Sequence, residues 1–358
     1  MDGDTREIYP PASPALGCAT LAEVLVHRAG ERPEGLAFRF LEEGEVDGRV
    51  SAWSWGELKR RADSIAAAIA EHAAPGQRAL LLFAPGLDFI AAFFGCLIAG
   101  VVAVPVPPPD PRRLDATLPR LLGVVADADP CVVLTTTAIA GFGRALGGAF
   151  AALPWIEVDA VWPAAAPAVA VAPDDLAFLQ YTSGSTGDPR GVMVSHRNLL
   201  ANLAMSDRGY ELAGREGQVV SWLPFYHDMG LIGVVLGNAY QGSVATLFSP
   251  LDFLKRPLRW LEAISRYGVP AMSGAPDFAY AYVARRATPA EIRALDLSRW
   301  VLAFCGAEPV QASTLDRFAE TFAPAGFRRD AFRPSYGLAE ATLFVSATAG
   351  EPRILAVD

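Results

Sequence analysis

The chain has 358 residues, 52% of them hydrophobic and 19% charged, which excludes a disordered polymer and supports a sizeable buried core. Its formal net charge is −9, and no basic block stands out, so nucleic-acid binding has no electrostatic support. The length exceeds one ordinary domain and suggests one large or two smaller α/β units.

The N-terminal MDGDTREIYPP is acidic and proline-bearing, unlike the basic-then-apolar start of a secretory leader, so no signal peptide is expected. Residues Ser54 to Glu71 read as an amphipathic helix. The run FIAAFFGCLIAGVVAVPV, Phe89 to Val106, carries no charge and just reaches membrane-spanning length, but Gly95, Gly100 and Pro105 punctuate it. It parses better as strand Ala79 to Phe83, a turn at Pro85 and Gly86, helix Asp88 to Ala99, then strand Val101 to Val104. An Asp as cap candidate and a Gly as stop suit such a short helix, in a βαβ unit buried on both faces. A helix over Leu114 to Ala126 and a strand at Cys131 follow, and Val161 to Pro173 has the composition of a connection.

The segment DLAFLQY reads as a buried strand, and SHRNLLANLAM as a helix with Ser195 as N-cap. Between them lies YTSGSTGDPRG, Tyr181 to Gly191. Its composition is also that of a linker, but a glycine-rich turn leaving a strand can converge backbone N–H groups and hydroxyls on an anion. The spacing is not GxxxxGK[ST], so it is not that phosphate loop. The alternation then continues: strand Gln218 to Leu223, helix Gly230 to Tyr240, strand Ser243 to Leu247, helix Pro257 to Tyr267, strand Trp300 to Cys305, helix Ala312 to Phe322. Such alternation implies α/β architecture with mainly parallel, helix-flanked sheets. The expected division is a first α/β subdomain over 1–175 and a second over 176–358.

Polar clusters fall where ligands bind in an open parallel sheet, beyond the carboxyl ends of strands: LPFYHDMG, GAEP, and SYGLAEAT at Ser335 to Thr342. The four cysteines, Cys18, Cys96, Cys131 and Cys305, are far apart without a CxxC pair and read as reduced thiols of a cytoplasmic protein. His27, His72, His196 and His227 have no zinc-ligand spacing.

Taken in order, YTSGSTGDPRG, PFYHDMG, GAEP and YGLAE resemble the adenylate-forming superfamily of acyl-CoA synthetases, luciferases and adenylation domains. The longer strings LQYTSGSTGDPRGVMVSHRNL, SWLPFYHDMGLIG, FCGAEPV and SYGLAEATLFVS are most similar to fatty acyl-AMP ligases. The resemblance covers the chain from about Ala19 onward. It implies that a fatty acid is activated with ATP to acyl-AMP and passed to an acyl carrier protein of a polyketide or peptide synthase.

The resemblance also implies roles for matching residues. The loop Thr182, Ser183, Gly184, Ser185, Thr186 and Gly187, with Arg190 where a lysine is common, would hold the ATP phosphates. Thr182 and Glu340 would hold Mg²⁺, which suits hard oxygen ligands. Tyr336 would stack on adenine, with Gly337 and Leu338 beside it, while Gly306, Ala307, Glu308 and Pro309 line the base's other side. His227 would face the reacting carboxylate and α-phosphate, and the acyl chain would lie among Met229 to Val235 and Met272 to Phe278, with Met229, Ser273, Gly274 and Phe278 as contacts. The alternatives are ordinary: a surface carboxylate at Glu340, a core aromatic at Tyr336, a structural histidine at 227, and plain core in the apolar segments.

Members of the superfamily continue into a barrel segment with a ribose-binding Asp and a mobile C-terminal domain with a catalytic Lys. Residues Ala341 to Asp358 supply neither, and Lys59 and Lys255, the only lysines, lie in other contexts. The chain reads as an amino-terminal portion, impaired alone in catalysis. Two further readings are a long-chain fatty acyl-CoA synthetase and a non-catalytic nucleotide- or acyl-binding module.

Overall fold

Short β-branched and aromatic runs alternate with amphipathic helices, and in the computed structural model they build two mainly parallel sheets. The structure describes residues 17–182, 189–212, 217–268, 270–348 and 352. In chain order the strands are β1 (Leu36–Leu41), β2 (Val50–Ser54), β3 (Arg78–Leu82), β4 (Val102–Val106), β5 (Val132–Thr135), β6 (Trp155–Glu157) and β7 (Leu176–Thr182). They continue with β8 (Arg190–Ser195), β9 (Gln218–Ser221), β10 (Val244–Leu247), β11 (Ala271–Ala275), β12 (Trp300–Cys305), β13 (Phe332–Gly337) and β14 (Phe344–Ala347). Among the described residues one sheet has the order β6-β5-β3-β4-β7-β8 and the other β14-β13-β12-β11-β9-β10-β1-β2. Antiparallel pairing among these strands occurs only at edges, in β7 with β8, β1 with β2, and β13 with β14.

The sheets do not divide at residue 175. Strands β1 and β2 cross into the larger sheet, where Phe38 pairs in parallel with Ala245, while β7 and β8 belong to the smaller one. Hydrophobic periodicity identifies a strand but not its partner, and both crossings are pairings between segments distant in sequence.

The uncharged run is a buried helix, Leu87–Ala99, as its punctuation suggests; every residue except Asp88 and Ile98 is buried. A helix apolar all round must be covered on all sides. Phe93 meets Phe178 of the smaller sheet at 5.7 Å between ring centroids, and Phe89 meets Phe225, beyond β9 of the larger sheet, at 5.4 Å. This helix therefore joins the sheets through one core. Its N-cap is Gly86 rather than Asp88, which sits inside the first turn, and Gly100 ends it at φ 68°, where a side chain would be strained. No helix among the described residues is long and apolar enough to cross a membrane.

Candidate active site

Strand β7 ends at half-buried Thr182, which pairs across the ladder with exposed Arg190, the first residue of β8. The loop between them holds Ser183, Gly184, Ser185, Thr186 and Gly187, which lie outside the described residues. A strand, not a helix, follows this loop. The helix His196–Gly209 starts only after β8, closed by a capping box in which Ser195 Oγ accepts from Asn198 N–H at 3.2 Å and Asn198 Oδ1 accepts from Ser195 N–H at 3.0 Å. The hairpin's base is fixed by Tyr181, whose hydroxyl donates to Asp127 Oδ2 at 2.5 Å. Burial, reinforced by that carboxylate, pushes the phenol's pKa up and keeps it neutral.

Gln180 links this hairpin to the next loop, since its Nε2 donates to the Tyr226 carbonyl at 2.9 Å; its buried Oε1 has no partner among the described residues. His227 follows, its side chain half-exposed and its Nδ1 2.7 Å from Asp228 Oδ1. The Met229 N–H lies 2.6 Å from the same carboxylate oxygen and 3.3 Å from Nδ1. An Nδ1 that donates to Asp228 cannot also accept, so the shorter contacts assign the Met229 N–H to Asp228 and leave Nε2 for a ligand. The hydrogen bond to Asp228 raises the His227 pKa above its usual value, against the opposing effect of burial.

Beyond Asp228 the expected helix over Gly230 to Tyr240 is a π-helix, Met229–Leu236, continued by a short α-helix, Gly237–Gln241. Its wider turn is seen in the Gly237 N–H bonding back to the Ile232 carbonyl. Such segments are uncommon and recur at functional sites. Gly230 permits the chain's tight entry, because a Cβ there would stand 2.2 Å from the Pro224 carbonyl oxygen.

At the end of β12, Gly306 brings the backbone close to β13, where a Cβ would stand 2.8 Å from the Ser335 carbonyl oxygen. Ala307 is held at φ 69°, a conformation that side chains disfavour. The loop is anchored from below: Glu308 Oε1 accepts the Phe278 N–H at 2.7 Å, and past Pro309 the Gln311 N–H donates to Asp277 at 2.8 Å. Strand β13 presents Tyr336 with 61% of its surface exposed. Gly337 and Leu338 then turn the chain, the Leu338 N–H donating to the Leu343 carbonyl at 3.0 Å, and Glu340 lies exposed on the turn Ala339–Ala341.

These ends surround a cavity of about 220 Å³. His227, Met229, Gly306, Ala307, Tyr336 and Gly337, all marked by the sequence motifs, line it. They share it with Asp228, Leu343 and Phe344, which lie in the motif strings without an assigned role, and with residues that no motif marks, Leu203 and Ser206 on the helix His196–Gly209, Tyr210 at its end, and Gly237. Amphipathic spacing marks that helix as packed, but not as facing a void. Thr182, Arg190, Glu308, Pro309, Leu338 and Glu340 are not in the cavity wall.

Nor are the expected acyl contacts on and after β11. Ser273 is fully buried, accepting from Trp260 Nε1 at 2.8 Å and donating to the Val220 carbonyl. Gly274 packs under Phe304, and Phe278 is 44% exposed beside Trp222.

Comparison with known proteins agrees with this architecture. The family model described as AMP-binding enzyme matches residues 25–356. The chain is 42% identical over 336 residues to the medium-chain-fatty-acid–[acyl-carrier-protein] ligase JamA of Moorena producens, covering 92% of this chain and 56% of that protein. It is 40% identical over 333 residues to the long-chain-fatty-acid–AMP ligase FadD23 of Mycobacterium tuberculosis, covering 89% and 56% of the two. The crystal structure of a fatty acid AMP ligase from Legionella pneumophila superposes with a TM-score of 0.86 at 40% identity, over 94% of this chain and 57% of that one. The chain thus spans little more than half the length of the relatives it matches. With the motif loops in their expected order at the strand ends, and the family model covering nearly its whole length, the chain belongs to the AMP-binding enzyme family.

Proposed function

We propose that this chain is the nucleotide- and acyl-binding part of a fatty acyl-AMP ligase, which activates a fatty acid with ATP for transfer to an acyl carrier protein. The observation that carries the proposal is the mixed lining of the cavity. His227, the Gly306–Ala307 backbone and Tyr336 line it together with the apolar Leu203, Leu212, Met229, Leu343 and Phe344. A fatty carboxylate and its tail need that combination in one place.

In this reading a carboxylate oxygen of the fatty acid attacks the α-phosphorus of ATP, the bond to the β-phosphate oxygen breaks, and pyrophosphate leaves. His227 orients the carboxylate and the α-phosphate through Nε2. Tyr336 stacks on adenine against the Gly306–Pro309 backbone, and the loop from Thr182 to Gly187, with Arg190, surrounds the phosphates. Catalysis then consists of positioning and charge stabilisation, with no protein nucleophile.

Thr182 and Glu340 offer a hydroxyl and a carboxylate, hard oxygens of the kind Mg²⁺ takes alongside phosphate and water. When bound, the metal would neutralise phosphate charge as it develops. Four cysteines with no disulfide among them suit a cytoplasmic setting.

Mass spectrometry of the full-length parent with fatty acid, ATP and Mg²⁺ tests the reading. Acyl-AMP should accumulate, and added CoA should give little thioester. Rapid, stoichiometric acyl-CoA formation would instead assign the protein to the acyl-CoA synthetases.

A further inference from the structure

We infer that Gly237 sets the acyl-chain length the cavity admits, an inference that rests on the acyl-adenylate reading above. One wall of the cavity follows a single helical run, on which Met229, Gly233, Gly237 and Gln241 recur every four residues. His227 stands at the start of that run. Distance along the run therefore measures distance from the reacting carboxylate. The π-helical part rises less per residue than the roughly 1.5 Å of an α-helix, so Gly237 lies about 9–12 Å beyond Met229 and Gln241 about 15–18 Å. An extended chain advances about 1.2 Å per bond, so an acyl group passes Gly237 at roughly its eighth to tenth carbon.

The glycines of this run serve different needs. Gly230 is required by the backbone, since its Cβ would strike the Pro224 carbonyl oxygen at 2.2 Å. At Gly233 a Cβ would press on Leu343 Cδ2 at 3.2 Å. At Gly237 the nearest atoms would be the Ile232 carbonyl oxygen at 3.4 Å and Leu203 Cδ2 at 3.9 Å, which are ordinary contacts, and φ is −59°, which any residue adopts in a helix. Neither backbone conformation nor close packing requires glycine there, and glycine weakens a helix relative to alanine. What its missing side chain provides is volume in the cavity.

Past Gly237 the same run presents Tyr240 and Gln241. A chain long enough to reach Gln241 covers its amide with terminal methylenes, removing water without supplying a hydrogen-bond partner. The preferred substrates are therefore acids of about ten to twelve carbons, with Gly237 opening the last part of the path.

The test uses the full-length parent and its Gly237→Ala and Gly237→Val variants, with a series of saturated acids from hexanoate to tetradecanoate and acyl-AMP as the readout. Each added methyl group takes the space of about one methylene, so the ratio of kcat/KM for dodecanoate to that for octanoate should fall about fourfold in Gly237→Ala and at least about tenfold in Gly237→Val. The change should appear mainly in KM for the longer acids. Alanine fits the helix, so its result stands even if the valine variant folds poorly. Adenylate formation with an unchanged ratio in Gly237→Ala would overturn the role of Gly237 while leaving the acyl-AMP reading intact. Absence of adenylate from every acid in the unsubstituted enzyme would overturn both.

Discussion

His196 and His227 show how surroundings assign one residue type to opposite tasks. His196 is buried and accepts the Leu21 N–H at Nδ1 over 3.2 Å, and burial lowers its pKa to about 4. The unfolded chain protonates the same group near pH 6.5, so it binds more protons than the folded chain between these values. Stability should therefore fall as pH drops from about 6.5 towards 4, by up to about 3 kcal/mol from this residue. Equilibrium denaturation across that range checks the slope, which should be smaller by this amount in His196→Asn.

His227 is shifted the other way by Asp228. Because Nδ1–H is committed to that carboxylate, Nε2 donates a hydrogen bond only in the imidazolium form. Adenylation should therefore decline as pH rises through the elevated His227 pKa, and Asp228→Asn should move that decline to lower pH. An unmoved limb in a pH–rate profile would remove His227 as the donor. His227 and Tyr336 are legible in the sequence because their loops carry recognisable strings. Ser273 misleads for a physical reason: every residue of β11 is buried, so no alternation tells which side chains face a ligand and which face Trp260.

Among elements, the strongly periodic helices are readable almost to the residue, as Ala312–Phe322 is, whereas edge strands are not. Strand β8 is short and partly exposed, with Gly191 placed so that a Cβ would approach Tyr181 Cζ to 3.0 Å, and nothing in GVMVS distinguishes it from the loop before it. The π-helix reads as an ordinary helix because an apolar run such as MGLIGVVL has no polar face from which to judge its turn. Where glycine punctuates an element, its conformational cost gives a direct measurement. Gly100 ends the helix Leu87–Ala99 at φ 68°, and a Cβ added there would stand 3.1 Å from Val169 Cγ1, so Gly100→Ala should lower stability by about 1–2 kcal/mol in denaturant titration.

At the scale of the whole molecule, the alternating pattern is sufficient to anticipate helix-flanked parallel sheets, but not their strand membership. The crossing of β1 into the larger sheet and β7 into the smaller one leaves one core shared by both sheets, with Phe89 and Phe93 reaching opposite sheets from one helix, and a smaller cluster around Leu80, Val104 and Phe150. That shared core sets the hairpin of β7 and β8 and the loops after β9, β12 and β13 on one scaffold, with Gln180 bonded directly across to Tyr226. On the proposed function, ATP phosphates and a fatty carboxylate would be held from the two sheets at once. Fatty-acid-dependent exchange of labelled pyrophosphate into ATP by the full-length parent measures this most directly. Exchange should require the fatty acid, and Thr182→Ala should reduce it by about a hundredfold or more while fatty-acid binding changes little. Exchange that proceeds equally without fatty acid, or at an undiminished rate in Thr182→Ala, would contradict it.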